Sequence, residues 1–229
     1  MKRKQPAADC ANCPLPRNEM ICLNLKGKAF RGCPSAGGKK ILEEAKNCYD
    51  NPAVREFARR ASIQEGQCYA GRDQTPFVLH PTKTRIEEIC EFANKMGYQS
   101  LGLAFCVGLA REAKIVAGLL ASRGFDVVSV VCKVGAVPKE KIGLTDKEKI
   151  RHGQFESMCN PVAQAMILND AGVEFNILLG LCVGHDSLFF KHAAAPTTVL
   201  AVKDRVTGHN PLAAVYLLDS YYARLKEKG

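Results

Sequence analysis

The chain has 229 residues, 47% of them apolar, and a formal net charge of +9 at pH 7. This size allows one domain core with a small appendage, and no apolar run approaches the roughly 20 residues of a membrane-spanning helix. The basic residues are spread along the chain and Trp is absent, so nucleic-acid binding is disfavoured. The charged start, MKRKQP, has no apolar stretch behind it and is not a signal peptide, which predicts a cytoplasmic protein.

The first 38 residues are predicted to be a small metal-binding module. Eleven cysteines in a cytoplasmic chain favour metal or redox chemistry over disulfides. Four of them lie in this segment, which is too short and too poor in apolar periodicity to bury much core, so a cross-link would stabilise it. They are Cys10, Cys13, Cys22 and Cys33.

Two kinds of metal centre fit these four thiols. The Cys10-x2-Cys13 spacing places two sulfurs on one turn, and tetrahedral thiolate sites suit zinc or an iron–sulfur cluster. A zinc ribbon usually has a second Cys-x2-Cys pair, which is absent here, and the Cys-Pro pairs at 13–14 and 33–34 are common beside cluster ligands. Zinc and a [4Fe–4S] cluster therefore both stay open, against the alternative of four free cysteines in an unstructured tail.

Residues 39–80 are predicted to form a helical connector. Apolar residues at 41, 42, 45 and 48 share one helical face, and Pro52 starts a second helix. A further helix follows, with Thr82 or Thr84 as its N-cap and Gly97 as its stop.

Four short apolar runs then alternate with helical segments, as in a parallel sheet with right-handed crossovers. The runs cover residues 100–106, 127–132, 175–182 and 198–202 and are rich in Val, Ile, Leu and Phe, as strands buried on both faces are. Between the second and third runs lies a charged insertion, residues 135–158, and then a helix. Residues 81–229 are therefore predicted to be a three-layer α/β domain, Rossmann-like or flavodoxin-like.

This predicted domain carries an internal duplication. Residues 103–108 read LAFCVG and residues 179–184 read LGLCVG. The next apolar runs end in VCK at 131–133 and in AVK at 201–203, and CNPVA at 159–163 is matched by HNPLA at 209–213. Each half thus reads strand, Cys-Val-Gly turn, helix, strand, Lys, loop, Asn-Pro and helix.

The duplication predicts a site at one edge of the sheet, because ligands of open α/β sheets bind beyond the carboxyl ends of the strands. Cys106, Cys132 and Cys182 end predicted strands, and Asn-Pro is a helix-start signal after Cys159 and His209. A twofold relation between the halves would bring these residues to one cleft. The candidate binding residues are Cys106, Cys132, Cys159, Cys182, His185, His209 and Lys203, with Lys133 and Asp186 beside them.

These residues support two interpretations. The strand-end cysteines hold a second metal or cluster or act as redox thiols, or they are core residues that happen to carry sulfur. A Gly-x-Gly-x-x-Gly or P-loop fingerprint is absent, so that a nucleotide cofactor is unsupported, and no catalytic residue can be assigned.

The chain resembles a family of uncharacterised bacterial and archaeal proteins described as predicted metal-binding proteins. The resemblance rests on the N-terminal cysteines and on AFCVGLAREA at 104–113, CKVG at 132–135, CNP at 159–161, GLCVGHD at 180–186 and KDR at 203–205 with GHNP at 208–211. It implies metal binding at the N-terminal cysteines and no particular reaction.

Two functional hypotheses follow. The first is a metal-binding protein in redox, metal or sulfur handling, with a redox or metal-delivery protein as partner. The second is a non-enzymatic binding module with a structural metal, whose strand-end cleft binds a small molecule or an acidic partner. The sequence does not decide whether the protein is an enzyme, nor its oligomeric state.

Overall fold

The computed structural model describes residues 7–227. Its contacts divide the chain into two compact units, Met1–Ile63 and Gln64–Gly229.

The first unit is built from short turns and helices. Two 3-10 turns, Cys10–Asn12 and Arg17–Glu19, precede the helices α1 (Pro34–Gly37), α2 (Lys39–Cys48) and α3 (Pro52–Gln67), the last of which continues into the second unit. The loop between Met20 and Lys28 folds back on itself, since Ile21 N–H donates to Lys28 O at 3.0 Å. A Cβ at Gly27 would lie 2.5 Å from the Ile21 nitrogen, so this loop requires glycine there.

The second unit alternates strands and helices. A small hairpin pairs β1 (Tyr69–Ala70) with β2 (His80–Pro81) in antiparallel fashion and precedes α4 (Arg85–Met96). The remaining elements are β3 (Ser100–Phe105), α5 (Ala110–Ser122), β4 (Asp126–Val131), α6 (Pro161–Asp170), β5 (Phe175–Leu181), α7 (His185–His192), β6 (Thr197–Val202) and α8 (Leu212–Tyr216).

The main sheet is parallel and has the order β4-β3-β5-β6. Numbered from β3, this is 2-1-3-4, the order with which flavodoxin-like sheets begin. From β3 to β4 the chain moves toward one edge of the sheet, and from β5 to β6 it moves toward the other edge. Right-handed crossovers therefore place α5 and α7 on opposite faces of the sheet. The predicted α/β fold, with helices on both faces of a parallel sheet, is confirmed.

The strand order also explains the internal duplication. The β3–β4 and β5–β6 pairs extend from the central β3–β5 pair in opposite directions, which is what a twofold axis parallel to the strands would produce. The two Asn-Pro sequences both lie at helix starts but differ by one position, since Asn160 is the N-cap of α6 and Pro211 is the N-cap of α8. Such an axis would run between β3 and β5, where the crossover direction reverses.

The two central strands form the core of the second unit. Every residue of β5 is buried, whereas the edge strands β4 and β6 are mostly half-exposed. The prediction that all four strands are buried on both faces is therefore right only in the centre, because an edge strand has a neighbour on one side alone. Phe189 of α7, Leu168 of α6 and Leu178 of β5 belong to one buried cluster.

The helix boundaries follow local sequence signals. Thr84 and Glu87 form a capping box at the start of α4, and Gly97 ends that helix in the left-handed conformation. Within residues 7–227, no helix combines the length and the apolar character needed to cross a bilayer.

The boundary between the two observed units falls within α3, between residues 63 and 64. The predicted connector, in contrast, runs from residue 39 to residue 80. Side-chain bonds tie the end of α3 to α4. Gln64 Nε2 donates to Glu91 Oε2 at 2.9 Å, and Lys95 Nζ donates to Gln64 Oε1 at 2.5 Å. The division into 1–38, 39–80 and 81–229 stays a prediction.

The charged insertion at 135–158 closes on itself and returns the chain to the sheet. Lys139 Nζ lies 2.5 Å from Glu156 Oε1, and Met158 N–H donates to Val137 O at 2.8 Å. Because the insertion begins and ends close together, the residue that follows it, Cys159, comes back beside the end of β4.

Candidate functional site

Two cysteines follow adjacent strands and lie side by side. Phe105 pairs with Val131 at the end of the β3–β4 ladder, and Cys106 and Cys132 are the next residues. The ladder continues through them, because Cys132 N–H donates to Phe105 O at 2.8 Å and Cys106 N–H donates to Leu179 O at 3.1 Å. Their Cα atoms are therefore held at about the 4.8 Å spacing of neighbouring strands.

A third cysteine reaches the same place from the loop before α6. Asn160 N–H donates to Cys132 O at 2.7 Å, which brings Cys159 against the end of β4. The Asn160 side chain then accepts from Ala163 N–H at 3.1 Å, and Pro161 occupies the first turn of α6. The predicted Asn-Pro helix start is confirmed, and it fixes the loop that carries Cys159.

The three thiols form a row with Cys132 in the middle, and we call it the thiol row. Cys132 neighbours Cys106 across the end of the β3–β4 ladder, and Cys159 packs against the same buried cluster beside the end of β4. Val107 N–H also donates to Cys132 Sγ at 3.3 Å. Cys132 is 2% exposed and Cys106 is 8% exposed, whereas Cys159 is half-buried. Of the three residues, Cys159 is the most exposed.

A lysine stands at each end of the thiol row. Lys203 follows β6, and both its ammonium and the Cys106 sulfur lie next to Gly108. A Cβ at Gly108 would lie 3.7 Å from Lys203 Nζ and 3.8 Å from Cys106 Sγ. At the other end, Lys133 interacts with the Cys159 thiol and donates to Ser157 O at 2.5 Å. Positive charge therefore flanks both outer sulfurs.

This arrangement separates the acidities of the three thiols. The hydrogen bond from Cys132, together with Gly108 N–H and the Lys203 ammonium, lowers the pKa of Cys106. Cys132, with Lys133 and His185, likewise lowers the pKa of Cys159. The pKa of Cys132 is raised, because its proton is shared with Cys106 and Cys159 and because it is buried. The outer sulfurs therefore ionise more readily than the middle one.

Cys182 ends β5 but takes a different partner. Arg205 Nη2 donates to its Sγ at 3.2 Å, and that interaction raises the pKa of Arg205. The predicted quartet of Cys106, Cys132, Cys159 and Cys182 is thus observed as a row of three with Cys182 bound to an arginine. The reason is that β5 is followed by the turn into α7, whereas β4 receives the returning loop of Cys159.

The predicted histidines fall into two groups. His185 opens α7 and acts electrostatically on Cys159. His209 belongs to its own loop, since its Nδ1 accepts from Asp204 N–H at 3.2 Å, and the Asp204 carboxylate accepts from Val206 and Thr207 N–H. Asp186 accepts from its neighbour Ser187 N–H at 2.8 Å.

Two residues that support the thiol row were not singled out from the sequence. Gln164 of α6 is fully buried, and its Nε2 donates to Phe105 O at 3.2 Å and to Val130 O at 2.7 Å. It therefore ties together the ends of β3 and β4. The sequence signal that could have identified Gln164 is a polar residue among the apolar positions of a helix.

Gly180 is the second of these residues. It has φ +68°, and its pairing with β6 is irregular. A Cβ there would lie 2.2 Å from Leu109 Cδ1 and 3.6 Å from Lys203 Nζ. A single glycine inside an apolar strand indicates such a close approach.

The four N-terminal cysteines line one small cavity. Cys10 and Cys13 lie on one turn, with Cys13 N–H donating to Cys10 O at 3.3 Å. The cavity has a volume of about 90 Å³ and is lined by Cys10, Cys13, Leu15, Met20, Ile21, Cys22, Lys28, Phe30, Cys33 and Ser35. Across residues 7–227, however, no three His, Cys, Asp or Glu side chains are placed as a preformed metal site.

The comparisons with known proteins place the chain among relatives without an assigned reaction. A family model described as "Protein of unknown function (DUF1847)" matches residues 33–200. The "Uncharacterized protein MJ0455" of Methanocaldococcus jannaschii is 41% identical over 194 residues, which are 83% of this chain and 96% of that protein. The resemblance to an uncharacterised family is confirmed, and the metal binding that it implies stays a prediction.

Among solved structures, the chain is similar to the crystal structure of Dph2 from Pyrococcus horikoshii with a 4Fe-4S cluster. The two are 17% identical, and the match covers 65% of this chain with a TM-score of 0.34. The chain spans about a third of that protein, since 34% of it is covered. A likeness this distant bears neither on the fold nor on a cluster in this chain.

Proposed function

Because the chain belongs to the DUF1847 family of proteins of unknown function, its activity has to be argued from its own residues, and we propose that it is a thiol-dependent redox protein with a metal-binding N-terminal segment. The thiol row of Cys106, Cys132 and Cys159 carries the redox chemistry. The cysteines of the first unit bind zinc or a [4Fe–4S] cluster.

The observation that carries the redox proposal is the set of neighbours around Cys132. Cys132 is buried between Cys106 on the neighbouring strand and Cys159 on the returning loop, and can form a disulfide with either. The outer sulfurs lie beside Lys203 and Lys133, which favour the thiolate, and the thiolate is the nucleophile in thiol–disulfide exchange. If the three thiols were only core residues, their packing would not explain why a lysine lies beside each outer sulfur.

Metal binding by the first unit rests on the chemistry of its donors. Four thiols line one cavity, and sulfur donors select zinc or iron–sulfur clusters. Ligand sets of this kind close when the metal replaces the thiol protons. The residues that would hold the metal are Cys10, Cys13, Cys22 and Cys33. Zinc there would be structural, and a [4Fe–4S] cluster would supply single-electron transfer.

A second candidate function is supported by the same cations. Arg205, Lys133 and Lys203 surround the strand ends with positive charge. A binding module that holds a small anion or an acidic partner in this cleft, without thiol chemistry, would use them equally well. The redox proposal in turn requires a partner that exchanges electrons or metal with the chain.

Metal analysis tests both parts of the proposal. We would purify the protein anaerobically with iron and zinc supplied, record its visible spectrum, and count metal, sulfide and reactive thiols. The same measurements follow on a Cys10→Ser/Cys13→Ser variant and on a Cys132→Ser/Cys159→Ser variant. Cys48→Ser is the matched control, because Cys48 is an exposed thiol of α2 outside both sets.

We expect stoichiometric metal that is lost in the Cys10→Ser/Cys13→Ser variant and kept in the other two. Cys159 should be alkylated at neutral pH faster than Cys48. Iron or zinc lost in the Cys132→Ser/Cys159→Ser variant would instead make the thiol row a metal site and overturn the redox proposal. Alkylation of Cys159 no faster than of Cys48, with tight anion binding, would favour the binding module.

A further inference from the structure

The thiol row has a direction, because its members differ in exposure. Cys159 is half-buried at one end, and Cys132 and Cys106 are buried behind it. A dissolved disulfide therefore meets Cys159 first. Cys132 lies between the other two, next to Cys106 across the β3–β4 ladder and next to the loop of Cys159, so a disulfide formed at the outer end can be passed to the inner end by one exchange within the protein.

Resting on the proposed redox function, we propose that Cys159, Cys132 and Cys106 form a disulfide relay for small anionic disulfides. Cys159 reacts with the substrate, Cys132 resolves the mixed disulfide, and Cys106 takes over the bond. The relay ends with a buried Cys106–Cys132 disulfide and a regenerated Cys159 thiol, ready to react again.

Each step exchanges one S–S bond for another. The Cys159 thiolate attacks the disulfide RS–SR, forms a Cys159–S–S–R bond and releases RS⁻, which takes the proton of Cys132. The Cys132 thiolate then attacks the Cys159 sulfur and releases the second RS⁻. Finally, the Cys106 thiolate attacks the Cys132 sulfur and releases the Cys159 thiolate. Two protein thiols are oxidised, and one substrate disulfide is reduced to two thiols.

The geometry of the strands suits the inner disulfide. Cys106 and Cys132 follow the paired residues Phe105 and Val131. The roughly 4.8 Å spacing of neighbouring strands lies within the range of about 4.4–6.8 Å that disulfides span between Cα atoms. The low exposure of both residues keeps that disulfide away from external thiols, which would otherwise reverse the reaction.

The charges around the row select the substrate class. Lys133 lies beside Cys159, Lys203 beside Cys106, and Arg205 at Cys182. The nearby carboxylates of Asp186 and Asp204 are engaged with backbone N–H groups. A disulfide that carries carboxylates is attracted to this positive field, whereas a cationic one is repelled.

The order of the steps is tested by disulfide mapping. The reduced, metal-loaded protein receives one equivalent of the dianionic aromatic disulfide DTNB and is quenched at successive times for peptide mass spectrometry. We expect Cys132–Cys159 first and Cys106–Cys132 at the end, with Cys159 free again. In Cys106→Ser the reaction should stop at Cys132–Cys159. Cys48→Ser, which lies outside the thiol row and its cations, is the matched control and should follow the unmodified protein.

A final Cys132–Cys159 disulfide in the unmodified protein, or oxidation of Cys106 before Cys159, would refute the relay while leaving the redox function in place. If none of the three thiols reacts with a disulfide, the redox function itself fails. The two failures are distinguishable because the mapping reports every cysteine separately.

Substrate charge is tested with the neutral aromatic disulfide dithiodipyridine beside DTNB. At each of Cys159 and Cys48, the rate of reaction with DTNB is divided by the rate with dithiodipyridine. Dividing the ratio at Cys159 by the ratio at Cys48 then removes the difference in intrinsic reactivity between the two reagents. We expect DTNB to be favoured at Cys159 about tenfold at low ionic strength, with the preference disappearing near 1 M salt. Lys133→Gln should reduce the preference for DTNB at Cys159 severalfold. Lys114→Gln, on the exposed side of α5, is the control and should leave that preference unchanged. A ratio of one at low salt would overturn the charge selection.

Discussion

Replacing Gly180 by alanine should destabilise the second unit through two separate effects. Gly180 has φ +68°, a backbone conformation that costs an L-residue about 1–2 kcal/mol. The new Cβ would also lie 2.2 Å from Leu109 Cδ1. Leu109 is buried at the start of α5 and has little room to rotate, so displacing it adds about 1–3 kcal/mol. The expected loss for Gly180→Ala is therefore about 2–5 kcal/mol.

Gly172→Ala is the matched control for this substitution. Gly172 has φ +66°, and no atom lies within 4 Å of the position that its Cβ would take. Only the backbone cost of about 1–2 kcal/mol applies there. The difference between the two variants isolates the collision with Leu109.

The free energy of unfolding is measured by urea denaturation, followed by far-ultraviolet circular dichroism, and supported by thermal unfolding. A difference of about 2 kcal/mol between the two variants corresponds to roughly 4–8 °C in Tm for a unit of this size. Equal destabilisation by Gly180→Ala and Gly172→Ala would refute the reasoning, because it would mean that Leu109 moves away at no cost.

Two further predictions concern the supports of the site. Gln164→Leu removes the hydrogen bonds to Phe105 O and Val130 O and should lower the free energy of unfolding by about 1 kcal/mol; an unchanged urea midpoint would contradict the role of Gln164 in joining β3 to β4. The hydrogen bond from Lys139 lowers the pKa of Glu156 from 4.5 to about 2. A carboxyl group whose pKa is lowered on folding stabilises the folded state above its unfolded pKa, and that stabilisation is lost as the pH falls through the folded pKa. The Tm difference between the unmodified protein and Glu156→Gln should thus be full above about pH 4.5 and shrink toward pH 2, whereas a difference independent of pH would exclude this pair as its source.

Local sequence patterns were enough to predict the strands and the edge of the sheet at which the cysteines lie. The Cys-Val-Gly repeat, the apolar runs and the Asn-Pro helix starts are local patterns, and local patterns set where strands and helices begin and end. They placed β3, β4, β5 and β6 within about one residue of their observed bounds. They also placed Cys106, Cys132 and Cys182 at strand ends and Cys159 just before an Asn-Pro helix start.

How these residues meet depends on the packing of the strands and loops. The order β4-β3-β5-β6 puts Cys106 beside Cys132, and the insertion returns Cys159 to the same point. The partners of Cys182 and His209, which are Arg205 and the Asp204 backbone, follow from the path of the chain after β5 and β6. Such contacts join residues far apart in sequence or depend on loop conformation, and side-chain periodicity carries no information about either. The duplicated sequence motifs therefore predicted that Cys106, Cys132, Cys159 and Cys182 meet at one cleft, and the packing of the strands made the first three a row.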